Sequence, residues 1–222
     1  MNVIGISNNL YDNTSLFNKE KFHYIKEKSE LTHVNLIQYD PDYIFFPHWS
    51  YKIKEEIYKN FNCIIFHMTN LPFGRGGSPL QNLLERKIYK TKISAIQCTH
   101  GLDTGDIYLQ RNFDISYDSA KIIYLRAAEI MSEMIDEIIA INPIPKPQSG
   151  TVVSFNRRSA SQSNILPLND LEAVYNYIRM LDAPGYPKAF IKNNSLKYEF
   201  FDVEKIGNAL LAKVEIKQEN DE

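Results

Sequence analysis

Along the first two thirds of the chain, short apolar runs alternate with segments of helical periodicity. NVIGIS at residues 2–7, closed by Asn8 and Asn9, YIFFP at 43–47 and CIIFHM at 63–68 have the length and the β-branched and aromatic content of buried strands. Between the last two, KIKEEIYKNF puts Ile53, Ile57 and Tyr58 on one helical face. Ser78 and Gln81 have the spacing of a capping box around Pro79, a residue favoured at the first helical position, so a helix is predicted from there to about Ile88. Two further strands, ISAIQC and DIYLQR, flank the loop THGLDTG. Residues 119–140 then place Ile123, Ala127, Ile130, Met134 and Ile138 at helical spacing. The proline-rich NPIPKPQSG ends that helix. This alternation predicts an α/β domain over residues 1–150, with a mostly parallel sheet flanked by helices.

After the proline-rich break the pattern changes. SFNRRSASQSN is rich in turn formers, a helix is predicted from about Asn169 to Leu181, and YPKAFI, LKYEFF and ALLAKVEI alternate as half-buried strands. Residues 151–222 therefore read as a helix with a small antiparallel β appendage. Its charged end, QENDE, is expected to fray. Three strands are too few to bury both faces, and Phe190, Tyr198, Phe200, Leu210 and Val214 offer an apolar face, so a homodimer is expected.

Composition changes this picture little. With 222 residues, 44% hydrophobic and 23% charged, the chain is long enough to bury its own core and too apolar for disorder. The net charge of −2 argues against a nucleic-acid partner, which needs a basic surface. No apolar run approaches the roughly 18 residues of a membrane span and no leader precedes the first strand, so the expectation is a cytoplasmic protein without membrane insertion. Cys63 and Cys98 lie in strand-like runs and read as reduced core residues.

Chemistry concentrates at two loops. His67 ends a strand and is followed by Arg75 and Gly76; Asp103 lies in the loop after another strand. In an open α/β sheet, such strand ends are where ligands bind, and a carboxylate beside an imidazole orients the ring and supports proton transfer. Each loop alone also reads as a plain turn. GRGGSP lacks the lysine of a P-loop, GLDTGD lacks dinucleotide-binding glycine spacing, and His48, His67 and His100 lack zinc-ligand spacing, so no metal is expected.

These residues resemble the folate-dependent formyltransferases, a family that includes methionyl-tRNA formyltransferases and sugar N-formyltransferases. His67, Leu71, Pro72, Arg75 and Gly76 follow the family's layout after its catalytic histidine, and Gly101 to Asp106 keeps the stretch holding its catalytic aspartate. The resemblance, from about Tyr43 to Phe200, implies a Rossmann-type core and N10-formyltetrahydrofolate as formyl donor. It assigns proton acceptance to His67 and its orientation to Asp103. The family's oxyanion-binding asparagine is replaced by Ile65, so Asn70, Thr69 or His48 must substitute, or the protein binds folate or nucleotide without turnover.

The folate is expected between Pro47, His48, Trp49 and Ser50 and the loop Thr99, His100, Gly101, Leu102, although Trp49 also reads as core. FNRRSASQS and IRMLDAPGYPKAFI look like segments of sugar N-formyltransferases. The acceptor expected on that likeness is a nucleotide-linked amino deoxysugar of cell-surface polysaccharide biosynthesis, of which the UDP-linked altrose-type precursor of pseudaminic acid derivatives is one example. It would be held by Arg75, Ser78, Gln81, Arg157 and Arg158. Capping explains Ser78 and Gln81 equally well, and adjacent arginines are common on solvated loops. The alternative acceptor is methionyl-tRNA.

Overall fold

The computed structural model describes residues 1–6 and 22–219; Asn8, Asn9 and the last three residues of QENDE lie outside them. In chain order the elements are β1 (Asn2–Ile6), β2 (Phe22–Ile25), α1 (His33–Tyr39), β3 (Ile44–His48), α2 (Glu55–Tyr58), β4 (Cys63–His67), β5 (Phe73–Gly76), α3 (Pro79–Glu85), β6 (Lys90–Gln97), β7 (Ile107–Asp114), α4 (Ala120–Ile141), β8 (Val153–Phe155), α5 (Leu171–Arg179), β9 (Ala189–Asn193), β10 (Leu196–Ile206) and β11 (Ala209–Gln218). They form two compact units. The first comprises Met1–Gly76, Thr91–Phe113 and Leu125–Ser154; the second comprises Gly77–Lys90, Asp114–Tyr124 and Phe155–Glu222.

The first unit is built on a sheet of order β2-β1-β3-β4-β6-β7. β1 pairs in parallel with β2 and β3, and β3 with β4, whereas β6 runs antiparallel to β4 with Ile65 opposite Ile96 and His67 opposite Ser94. The fold class predicted from the strand and helix pattern is therefore observed. Val3, Ile44, Phe46, Ile57 and Cys63 are buried in one cluster with Leu36 of α1, and Trp49 and Ile65 pack against it. Each such side chain contributes roughly 1.5–3 kcal/mol on leaving water. Gly5 makes room for this packing, because a Cβ there would stand 2.7 Å from the Phe46 ring.

In the second unit β9, β10 and β11 form a three-stranded antiparallel sheet, with α3 and α5 in the same unit. Asp170 caps α5 by accepting from the Ala173 amide at 2.9 Å. Arg179, at the other end, is 1% exposed. Phe190 is buried, Tyr198, Phe200 and Leu210 are half-buried, and Val214 is exposed together with Leu211 and Ile216.

Local readings needed correction at two helices. α3 starts at Pro79 as expected, but the capping box does not form: Ser78 adopts a left-handed conformation (φ 51°) and its hydroxyl accepts the Arg158 amide instead. The helix stops at Glu85 rather than Ile88. The helix expected over KIKEEIYKNF is only the single turn α2, whose N-cap Lys54 makes no side-chain cap bond.

Candidate active site

His67 is the last residue of β4 and is 7% exposed. Nε2 lies 2.7 Å from the Gly74 carbonyl oxygen. A carbonyl only accepts, so this nitrogen carries the proton and the neutral ring is the Nε2–H tautomer. The Nδ1 lone pair is left facing Oδ2 of Asp103 at 3.6 Å. Asp103 is equally buried, and its Oδ2 also accepts the Gly76 amide at 2.9 Å.

The loop that carries Asp103 is wound tightly. Asp103 itself has φ 53°, a region costly for a residue with a Cβ. A Cβ on Gly101 would meet the Thr104 hydroxyl at 2.3 Å, and one on Gly105 would lie 1.8 Å from the Gln97 carbonyl oxygen. Around the pair, Thr69 is fully buried and its hydroxyl donates to Gly74 O, whereas Asn70 is exposed and its Oδ1 accepts from Gln110 Nε2 at 3.4 Å. Ile65, where the resemblance leads one to expect a polar donor, is half-buried.

The other expected site residues fall in different settings. Pro47 is buried, His48 and Trp49 are half-buried, and Ser50 is exposed; Trp49 Nε1 is buried without a hydrogen-bond partner among the described residues. Thr99 and Gly101 are half-buried, and His100 and Leu102 exposed. Arg75 donates from Nε and Nη2 to Gln148 Oε1 at 3.1 and 2.7 Å. In the second unit, Gln81 is buried with its amide donating to the Tyr124 hydroxyl and the Met180 carbonyl. Arg158 pairs with Glu85 at 2.6 Å and lies over the Tyr177 ring, while Arg157 is exposed. Sequence reasoning missed Gln148 and the Gly74 carbonyl. A lone glutamine in a proline-rich break carries no local signal, and a carbonyl carries none at all.

Among the described residues, no three His, Cys, Asp or Glu side chains gather as metal ligands, and no helix is long and apolar enough to cross a membrane. Cys63 and Cys98 are buried free thiols, and burial raises both pKa values, that of Cys98 to about 11.

Burial lowers the His48 pKa from 6.5 to about 4, so the folded protein keeps this ring neutral where the unfolded chain begins to bind a proton. Stability contributed by the neutral ring is present above pH 6.5 and is lost as the pH falls towards 4. The full shift corresponds to about 3 kcal/mol, less to the extent that the half-buried ring finds water. His48→Gln is expected to flatten the loss of stability between pH 7 and 5 in urea titrations. An unchanged slope would assign that loss to other groups.

The chain is similar to several characterised proteins. The sequence model of the methionyl-tRNA formyltransferase C-terminal domain matches residues 160–217. A solved structure, the methionyl-tRNA formyltransferase from Clostridium thermocellum, is 46% identical, with 98% of this chain and 99% of that one covered and a TM-score of 0.93. The methionyl-tRNA formyltransferase of Sulfurimonas denitrificans is 27% identical over 158 residues, 70% of this chain and 52% of that protein. The chain thus spans about half the length of the first curated relatives it matches, 52% and 47% of two of them. A sugar N-formyltransferase from Shewanella sp FDAARGOS_354 is 16% identical with a TM-score of 0.67 over 93% of this chain and 98% of that one, a likeness of fold alone.

These likenesses overturn two expectations. The sugar-nucleotide acceptor, with its role in polysaccharide biosynthesis, loses its basis, because the relative at 46% identity is named for methionyl-tRNA, whereas the sugar N-formyltransferase shares the fold at 16%. The exclusion of nucleic acid falls for the same reason. A net charge is a sum over the chain and does not report how cations are distributed: on and beside the terminal sheet Lys188, Lys192, Lys197 and Lys217 form ion pairs with Glu215, Glu219 and Glu199, and such pairs cancel in the total.

Proposed function

Because the chain belongs to the formyltransferase family, we propose that it transfers a formyl group from N10-formyltetrahydrofolate to the amino group of methionyl-tRNA. The observation that carries this reading is the placement of His67, with Nε2 2.7 Å from the Gly74 carbonyl oxygen and Nδ1 3.6 Å from the buried carboxylate of Asp103. Bound N10-formyltetrahydrofolate supplies an electrophilic formyl carbon. His67 takes the proton of the attacking amine on Nδ1, Asp103 stabilises the imidazolium so formed, and His67 returns the proton to the departing folate nitrogen. The products are the formylated amine and tetrahydrofolate, with no net change of proton at the enzyme.

Asn70 serves as donor to the formyl oxygen in place of the family's asparagine. Its Oδ1 accepts from Gln110, which turns the amide nitrogen the other way, and it is exposed where Thr69 is buried. The residues Pro47–Ser50 and Thr99–Leu102 suit a flat heteroaromatic donor: Trp49 offers an aromatic face, and its buried Nε1–H lacks an acceptor among the described residues. A second reading, folate binding without turnover, is favoured by one observation only, the apolar Ile65.

The test is incubation with N10-formyltetrahydrofolate and charged methionyl-tRNA at increasing salt. Formyl-methionyl-tRNA should appear, at a rate that falls steeply as salt rises. Folate binding with no release of tetrahydrofolate would establish the second reading and overturn the first.

A further inference from the structure

Gln148 lies in the segment NPIPKPQSG, two residues beyond Lys146, which exchanges both backbone hydrogen bonds with Ile107 at 2.7 and 2.9 Å. That bridge fixes the segment at the start of β7, so Gln148 is presented from an anchored backbone. Its side-chain amide is half-buried and saturated. Oε1 accepts twice from Arg75, and Nε2 donates to the carbonyl oxygens of Asp103 and Gly105, each at 2.8 Å. The chemistry fixes the orientation of the amide, since a guanidinium offers only donors and a carbonyl only accepts.

We propose that Gln148 is the positioning residue that holds the Asp103 carboxylate against His67. This inference rests on the proposed formyl transfer for its effect on rate. The Asp103 loop is strained at φ 53° and bends through Gly105, which tolerates no Cβ. A loop of this kind keeps its shape only when its surroundings over-determine it. The two carbonyls that Gln148 grips flank Thr104 and so hold the turn immediately after Asp103 from both sides. Through Arg75 the same amide holds the residue adjoining Gly76, whose N–H donates to Asp103 Oδ2. One side chain thereby ties down both the backbone that carries the carboxylate and the strand that meets it. With all four hydrogen-bonding positions of the amide occupied, Gln148 retains no capacity for a substrate.

The experiment compares the full chain with Gln148→Met, which removes every contact, and Gln148→Glu, which keeps an acceptor for Arg75 but loses both donors. Two quantities are read. The first is hydrogen exchange of the Gly76 amide, which reports whether Asp103 Oδ2 is in place and needs no substrate; Asp103→Ala supplies the unprotected reference. The second is the split between kcat and KM. Both Gln148 variants should expose the Gly76 amide as Asp103→Ala does, with protection of the β4 and β6 amides unchanged. They should also lower kcat by about ten- to a hundredfold, at unchanged KM, as expected for a misplaced catalytic group. Wild-type Gly76 protection in Gln148→Met would overturn the proposal, and wild-type behaviour of Gln148→Glu would shift the role to the Arg75 contact and overturn it as stated. If the unmodified protein transfers no formyl group, the functional reading fails, while Gly76 exchange still decides whether Gln148 positions Asp103.

Discussion

Asp103→Asn should lower formyl transfer by about two orders of magnitude or more and leave the fold intact. Asparagine has the same shape, so an oxygen can still accept the Gly76 amide that Asp103 Oδ2 accepts at 2.9 Å. The substitution removes the negative charge 3.6 Å from His67 Nδ1, and with it the stabilisation of the proton taken from the amine. His67→Asn should have an effect of similar size, because the two residues act as one unit and their losses are not additive. Single-turnover rates with saturating donor, set beside thermal melting of each variant, make the measurement. Near-normal rates in both variants would remove the pair from the catalytic machinery.

Arg179→Leu is expected to destabilise the protein by roughly 3–5 kcal/mol, the largest effect on stability foreseen for a single residue here. The guanidinium is buried at the end of α5. Nη1 donates to the carbonyls of Ile115, Tyr117 and Asp118 at 3.0–3.1 Å, and Nε to Asn176 Oδ1 at 2.9 Å. Burial pulls its pKa down, so the charge is held at a cost that these acceptors and the Tyr175 and Tyr89 rings offset. Leucine would leave the carbonyls without their donor, each costing about 1–3 kcal/mol if no water enters. Arg179→Lys should restore only part of the loss, since an ammonium cannot reproduce the fork. Urea denaturation at neutral pH checks both variants. A Leu variant within about 1 kcal/mol of the original would mean that water substitutes for the guanidinium.

The same residues show what could be read from the chain and what could not. β3 and β4 were legible because buried strands are written as nearly unbroken apolar runs, β6 through the apolar positions of its ISAI stretch, and α4 because its apolar residues recur at helical spacing over 22 residues. β2 was missed: FHYI is four residues long, with its polar side chains in the middle. α1 was missed because only Leu36 of its seven residues is buried, too little to produce a periodic stripe. His67 and Asp103 stood out through their positions at strand ends and their motifs. Arg179 and Gln148 did not, because a lone arginine on a helix and a glutamine among prolines look like solvated positions until the chain is folded around them. Ser78 and Gln81 matched a capping pattern that tertiary partners then outbid, Arg158 for the serine and Tyr124 and Met180 for the glutamine.

One feature of the site bears on how such a protein can diverge. His67, Asn70, Gly74, Gly76, Asp103 and Gln148 all belong to the first unit, so the apparatus proposed here for moving a proton is encoded apart from the terminal sheet. Mutations can accumulate across β9 to β11 under selection for one acceptor or another without disturbing that apparatus. Chains with different substrates can then share the same catalytic signature, and the signature says little about which amine is formylated. The sugar-nucleotide acceptor was inferred mainly from residues after Gly150, yet residues 160–217 are the ones that match the C-terminal domain of methionyl-tRNA formyltransferases.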